Sequence, residues 1–214
     1  MSEWVRFFER EDRNIFNHCL GNRRLIELIV ANTPRGGKIL EAGCGTALLS
    51  LILADYGFHV TALDFTKEVL EYARARSHMS PANLSFVQGD ILNLSSIFGA
   101  NHFDTICHSG VMEHFSDPEI VTSLAEQRKV SKKLVFSVPN HRNKLAPGHF
   151  GDERFMSNSK WLSLIGQAGF QKSNVYGGYD MPKLFHLFLP GAFFHRKLSF
   201  WWKWASRHSV FVCE

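Results

Sequence analysis

Residues 39 to 45 read Ile-Leu-Glu-Ala-Gly-Cys-Gly, and no other stretch narrows the fold of this chain as far. Gly37-Lys38-Ile39-Leu40 reads as an apolar strand running into an acidic residue, then two glycines one residue apart. Thr46 and Ala47 lead into an apolar helix through Tyr56. Glycine lets the backbone turn sharply and approach a ligand with no Cβ in the way. A strand, a glycine-rich turn and a helix in that order form a nucleotide-binding corner of a doubly wound sheet.

Which nucleotide follows from what the turn lacks. The dinucleotide fingerprint needs a third glycine three residues after the second. Here the second is Gly45, and position 48 is Leu, which argues against a nicotinamide oxidoreductase. The Gly-Lys-Ser/Thr of a Walker-type phosphate loop is missing as well. What remains, Glu41-Ala42-Gly43-Cys44-Gly45-Thr46-Ala47, resembles the first motif of class I S-adenosylmethionine (SAM) methyltransferases, Glu/Asp-x-Gly-x-Gly-x-Gly. Ala47 stands where the last glycine is expected. SAM carries no phosphate, so a less open loop suffices.

Three further segments carry the resemblance across about residues 20 to 175. His59-Val60-Thr61-Ala62-Leu63-Asp64 reads as a second strand ending in an acid. A carboxylate there accepts hydrogen bonds from ribose hydroxyls, as in dinucleotide folds. Leu84-Ser85-Phe86-Val87-Gln88-Gly89-Asp90 reads as a third strand ending in Gly-Asp. The resemblance implies that Asp90 binds the exocyclic amine of adenine and that Ile91 packs near the base. Phe103-Asp104-Thr105-Ile106-Cys107-His108-Ser109 looks like the fourth strand, passing under the methionine part of the cofactor. It leads into Gly110-Val111-Met112-Glu113-His114-Phe115, similar to the Glu-His segment of many small-molecule methyltransferases, including the quinone-biosynthesis type. The implied cofactor is SAM, with S-adenosylhomocysteine as product. The implied cofactor-binding set is Glu41, Ala42, Gly43, Gly45, Asp64, Phe65, Asp90, Ile91 and His108. Glu41 is expected to meet the methionine end of SAM or the glycine-loop backbone.

The pattern along the chain predicts an α/β fold. It is a doubly wound, Rossmann-like seven-stranded sheet, mostly parallel with an antiparallel last strand, and helices on both faces. Strands are expected at 38–42, 58–63, 84–88, 103–108, 133–138, 170–176 and 210–213. Helices are expected at 46–56, from Thr66 to about Ser77, from an N-cap at Asp117 to about Val130, and from about Ser159 to Ala168. The resemblance places the final strand antiparallel between the fifth and the sixth. Residues 3 to 32 show helical periodicity, with Gly21-Asn22 expected to separate two helices. The whole chain, 1–214, reads as one domain in which 1–32 form a helical cap over the cofactor or acceptor cleft.

Composition bounds the partners. Four well-separated cysteines, Cys19, Cys44, Cys107 and Cys213, fit a reducing cytoplasm and argue against a zinc site or a disulfide framework. The N-terminus has no signal-peptide pattern. Residues 181 to 213 hold Lys183, Arg196, Lys197, Lys203 and Arg207 and no acid, so most of the net charge of +4 is a local patch and nucleic acid is not the expected partner. The insertion 181–204 before the last strand is rich in Phe and Trp, including Trp201, Trp202 and Trp204. Its longest uncharged run, Leu184 to His195, is too short to span a bilayer. It reads as a substrate lid or homodimer contact, as a peripheral membrane anchor, or as a stacking surface for nucleic acid, in that order.

The chemistry asked of such a chain is an in-line displacement, in which an acceptor atom attacks the methyl group of a sulfonium. The protein aligns the two and removes a proton. His114, following the fourth strand on the ligand edge, is the candidate base, because a neutral imidazole is suited to proton transfer near pH 7. Glu113 is the candidate to orient it. Some relatives place metal ligands at Glu-x-x-Glu-His. Gly110 occupies the first of these positions, so no metal is expected. Residues 139 to 157 form a long loop on the ligand edge, where His149, Asp152 and Glu153 are acceptor-side candidates. Arg24 is a further candidate, for the cofactor carboxylate. The reading is a SAM-dependent methyltransferase acting on a small-molecule acceptor, apolar or aromatic and methylated at oxygen. Two alternatives stand beside it. One is a non-catalytic scaffold or partner-binding protein of the same fold, which Gly43, Gly45, Asp64 and Asp90 together argue against. The other is a variant acting at a membrane surface on a lipid-like acceptor.

Overall fold

Alternation along three strands explains how the molecule is layered. In β1 (Lys38–Ala42), Ile39 faces one hydrophobic cluster and Leu40 and Ala42 face another. In β4 (Thr105–Ser109), Ile106 and Cys107 part in the same way, as do Val135 and Phe136 in β5 (Leu134–Pro139). Successive side chains of a strand point to opposite faces, so a strand buried on both sides reads as a continuous apolar run. The remaining strands are β2 (His59–Asp64), β3 (Leu84–Gln88), β6 (Ser173–Gly177) and β7 (His208–Cys213). The computed structural model describes residues 3–10, 15–76, 81–140, 152–178 and 208–214.

The seven strands form one sheet in the order β3-β2-β1-β4-β5-β7-β6. β1 to β5 pair in parallel, and β7 runs antiparallel between β5 and β6. This is the predicted topology. One face is covered by α2 (Ile15–Asn32), α3 (Leu48–Asp55) and α4 (Lys67–Arg76), through Leu25, Ile29, Leu49, Leu53 and Leu70. The other is covered by α5 (Asp117–Val130) and α6 (Asn158–Gln167), whose Ile120, Leu124, Trp161 and Leu164 bury against Phe136 and Phe211. Each such side chain, taken fully out of water, contributes about 1.5–3 kcal/mol. A short helix, α1 (Glu3–Arg10), precedes α2.

Several boundaries differ from the predicted ones, each for a local reason. Gly21-Asn22 does not separate two helices, because α2 runs straight through it. Asn22 Nδ2 donates to the His18 carbonyl, and Leu25 and Ile29 anchor the following turns in the core. That anchoring outweighs the ~1 kcal/mol that a mid-helix glycine costs. The N-cap of α5 is Ser116 rather than Asp117: Ser116 and Glu119 form a capping box, with Pro118 in the first turn. β4 begins at Thr105 and β6 at Ser173, later than expected. The aromatic insertion 181–204 and most of the loop 139–157 lie outside the described residues.

The turn between β1 and α3 is tightly wound. Gly43 (φ 80°) and Gly45 (φ 51°) both take left-handed backbone conformations. A Cβ on Gly43 would come within 2.8 Å of Val111, and one on Gly45 within 2.8 Å of Phe8. Ala47, at the position of the missing third glycine, is left-handed too, at φ 56° and ψ 21°. Helix α3 therefore starts at Leu48, not at Thr46. Beneath the turn the buried Glu41 carboxylate accepts a 2.8 Å hydrogen bond from Ser50 N and a second, short one from Ser50 Oγ, tying β1 to α3.

Two stability measurements follow. An alanine in the left-handed region is strained by about 1–2 kcal/mol, so Ala47→Gly is expected to raise the urea midpoint, or at least leave it unchanged despite the added chain entropy. A clear drop would mean that the methyl group's packing matters more than the strain. Burial pushes the Glu41 carboxyl from its ordinary 4.5 up to about 8, against the pull of the Ser50 bonds. An unfolded chain ionises this group near 4.5 while the folded chain keeps its proton. Its contribution is therefore fully present below 4.5 and is lost as pH rises towards 8. Glu41→Gln is expected to shrink the fall in urea midpoint between about pH 5 and about pH 8, and parallel slopes for the two proteins would contradict this.

Candidate active site

The carboxyl ends of the parallel strands open into a cleft of about 680 Å³. That is within the ~300–1,000 Å³ of small-molecule sites, and on the edge where open α/β sheets bind ligands. Its floor is the glycine turn, where Gly43, Cys44, Gly45 and Thr46 all line it. Gly43 N and Cys44 N both donate to the Leu63 carbonyl, at 2.7 and 2.9 Å, which ties the turn to the end of β2. The next residue, Asp64, accepts from Gly45 N at 3.1 Å through Oδ2 and from Thr66 N at 3.0 Å through Oδ1. Burial raises its pKa above the ordinary value, opposed by those backbone bonds. Asp90 caps the 3-10 helix Ile91–Ser96 by accepting from Leu92 N at 2.8 Å, and it lines the cleft together with Ile91. Phe65 stands at the rim, 71% exposed. Glu41 also reaches the cleft wall, although its hydrogen bonds go to α3 and not to the turn itself.

Across the cleft, the 3-10 helix Met112–His114 follows β4. His114 Nδ1 lies 2.8 Å from Asp152 Oδ1. Asp152 is brought there by Arg154, two residues on. The Arg154 backbone N donates to the Glu113 carbonyl at 2.9 Å, its Nη1 donates to the Phe115 carbonyl at 2.7 Å, and its Nη2 pairs with Asp117. The rings of Trp4 and His114 meet at right angles with centroids 5.4 Å apart, and Trp4 and Phe8 from α1 stack and line the cleft. Glu113 lines the same cavity but does not orient His114, because Asp152 does. The Glu113 side chain is buried, and its Oε2 has no hydrogen-bond partner among the described residues. Burial, reinforced by the nearby Glu153 and Asp152, pushes this carboxyl up to about 8, so it holds its proton at neutral pH.

Some of the predicted site residues lie elsewhere. His108 does not reach the cleft. It shares a strand face with Ile106, stacks on Phe136 with centroids 4.9 Å apart, and is fully buried with both ring nitrogens unpartnered among the described residues. Desolvation pushes its pKa down to about 3, so it stays neutral. Ala42 points into the same core. Arg24 pairs with Glu27 at 3.5 Å and lies over the Tyr176 ring, away from the cleft. His149 lies outside the described residues. His114, Asp152 and Glu153 each bring one atom able to bind a metal within 4.8 Å of the others, two of them from a loop that the Gly110 argument did not consider. The 2.8 Å contact between Asp152 and His114 is that of a hydrogen-bonded pair. The sequence reading missed His18 and Asn22 of α2, Ser109, Ser137 and His208, all of which line the cleft. Helical spacing places His18 and Asn22 four residues apart on one face, a signal the expected break at Gly21 concealed.

Comparison with known proteins agrees with this geometry. Residues 39–133 match a methyltransferase domain family. The chain is 30% identical over 164 residues to the ubiquinone biosynthesis O-methyltransferase of Proteus mirabilis, covering 69% of this chain and 66% of that protein. It is 33% identical over 115 residues to the protein of the same name from Erwinia tasmaniensis, covering 53% and 47%. The matched stretches thus span about half to two thirds of these relatives. Among solved structures, a SAM-dependent methyltransferase from Archaeoglobus fulgidus superposes with a TM-score of 0.70 at 12% identity, over 99% of both chains, which shows a shared fold. A glycine turn without a dinucleotide's third glycine, the acids ending β2 and β3, and a last strand inserted antiparallel all meet in one arrangement, and with these relatives they place the chain in the class I SAM-dependent methyltransferase family.

Proposed function

We propose that this chain transfers a methyl group from SAM to an oxygen of a small apolar or aromatic acceptor. The observation that carries the reading is that one cleft holds both halves of such a reaction. The glycine turn with Asp64 and Asp90 lies on one side, and His114 paired with Asp152 lies on the other. The names of the relatives, ubiquinone biosynthesis O-methyltransferases, support oxygen as the acceptor atom and a phenolic ring as the acceptor class. The aromatic wall of Trp4, Phe7 and Phe8 suits a flat ring.

SAM supplies an electrophilic methyl group on a positively charged sulfur. The acceptor oxygen attacks that carbon in line, the carbon–sulfur bond breaks with its electron pair left on sulfur, and the acceptor's proton must go to the protein. His114 Nε2 takes it in this reading. Asp152, accepting the proton on Nδ1, fixes the tautomer that leaves Nε2 basic and stabilises the imidazolium that forms. Glu113, protonated beside it, supplies a hydrogen-bond donor to the cleft wall. Gly43 and Gly45 let the cofactor lie against bare backbone, and Asp64 and Asp90 accept from its ribose hydroxyls and adenine amine. The bonds from Gly45 and Thr66 to Asp64, and from Leu92 to Asp90, use one lone pair on each oxygen they reach and hold both carboxylates in place for this.

Two tests separate cofactor binding from chemistry. Asp64→Ala is expected to weaken S-adenosylhomocysteine binding by about tenfold or more in calorimetry, the worth of one or two bonds to a charged acceptor, with Asp64→Asn in between. Wild-type protein that melts cooperatively yet binds neither SAM nor S-adenosylhomocysteine would overturn the proposal in favour of a scaffold role. With phenols and catechols as acceptors, His114→Ala is expected to lower kcat by about 10²–10⁴ while cofactor affinity holds, and Asp152→Asn to lower it less. Turnover by His114→Ala close to that of wild type would remove the base.

A further inference from the structure

The sheet has a second concavity, at the end opposite the cleft. It is a groove of about 270 Å³ at the starts of β1, β2 and β3. Open α/β sheets bind their ligands at the carboxyl ends of the strands, so methyl transfer makes no use of this end. The sign of the groove is the reverse of the cleft's. The described lining of the cleft holds five carboxyl groups, Glu41, Asp64, Asp90, Glu113 and Glu153, and no lysine or arginine. The described lining of the groove holds Lys38, His59 and His102 and no carboxyl group. Asp104, whose Oδ2 accepts from the Lys38 backbone N at 2.8 Å, is not part of that lining.

Strand register sets the donors of the groove side by side. Lys38 lies opposite His59 across β1 and β2, and Thr61 lies opposite Ser85 across β2 and β3. His59 and Thr61 are two residues apart in one strand, so all four share a face. Neighbouring strands are about 4.8 Å apart and alternate residues of a strand about 6.6 Å, so one small anion reaches several of these side chains. The next residues along this face, Leu40 and Leu63, belong to the core, and the polar set begins where that core ends. Its donors are uncommitted. Ser85 Oγ lies 3.3 Å from Thr61 Oγ1 and 3.4 Å from the Val60 carbonyl, and its proton serves these two. The Thr61 proton is then left without an acceptor among the described residues. The Lys38 ammonium and the His59 ring have no hydrogen-bond or ion-pair partner among them either. An ammonium without a counter-charge, set in a concavity beside free donors, attracts an anion.

We propose that this groove binds the phosphate group of a small soluble phosphate monoester, with Lys38 as the cation, His59 and Thr61 as further donors, and His102 and Phe103 as the wall beside them. A phosphate group carries up to two charges and three strong acceptor oxygens, which matches one ammonium with two neutral donors. Lysine binds phosphate as a point charge through charge-assisted bonds. The groove is concave and close to the ~300 Å³ lower end of small-molecule sites, which suits a free ligand better than a flat membrane surface. The site is independent of the methyl-transfer reading, since it shares no lining residue with the cleft.

The test uses the whole chain. Inorganic phosphate, titrated at constant pH and ionic strength, is expected to shift the amide NMR signals of Lys38, His59, Thr61 and Ser85 with a millimolar dissociation constant, and glycerol phosphate to shift the same set. Chloride at the same ionic strength is expected to leave them in place. Lys38→Gln is expected to weaken phosphate by about tenfold and Thr61→Val by less, both variants keeping the cooperative melt of wild type. Shifts confined to other residues, shifts reproduced by chloride, or equal binding by Lys38→Gln overturn the site. Vesicles of phosphatidic acid in phosphatidylcholine form the second arm. Retention on them that needs Lys38, with no response to either soluble phosphate, overturns the soluble ligand in favour of a lipid headgroup.

Discussion

Everything at the ligand edge depends on how the chain leaves β1. Gly43 and Cys44 both donate to one carbonyl, that of Leu63 at the end of β2, and this is geometrically possible because Gly43 and Gly45 turn left-handed. That knot holds the bare backbone of the turn against the cleft and brings Asp64 to bond Gly45. It also aims α3 so that Ser50 closes on the buried carboxyl of Glu41. Ala47 shows how strong the constraint is, since a residue with a Cβ is held left-handed where glycine would be unstrained.

The second organising feature is the way burial sets protonation. Glu41 and Glu113 are both pushed up to about 8 by desolvation, and His108 is pushed down to about 3. At neutral pH these three groups therefore carry no charge, while the half-buried His114 lines the cleft with its Nδ1 held by Asp152. A histidine and a glutamate close together in sequence thus have different fates, decided by which strand face or helix turn each occupies. His108 faces the α5–α6 layer, and Glu113 is wedged under the loop that Arg154 pins.

Much of this was legible in the sequence. The glycine turn, the acids ending β2 and β3 and the alternation of strands and helices rest on local patterns, turn residues and spacing, whereas the antiparallel last strand was implied by the family resemblance. The misreadings were of direction. His108 was assigned to the cofactor although its parity with Ile106 places it in the core. Gly21-Asn22 was read as a break although the flanking Leu25 and Ile29 are stitched to the sheet. Asp117 was named as the cap where Ser116 and Glu119 do the work together.

Local sequence alone determined the glycine-turn side of the cleft, because a glycine that must turn left-handed and an acid that must end a strand are set by their immediate neighbours. The tertiary structure decided the opposite side. The pairing of His114 with Asp152 spans 38 residues, and that of Ser109 with Asn22 spans 87. Contacts so distant leave no periodic trace in the chain. They exist because the sheet brings the ends of β4 and β5 and the start of β7 to one edge, and because a loop and the helices α1 and α2 are held there by side chains such as Arg154, Trp4 and Leu25.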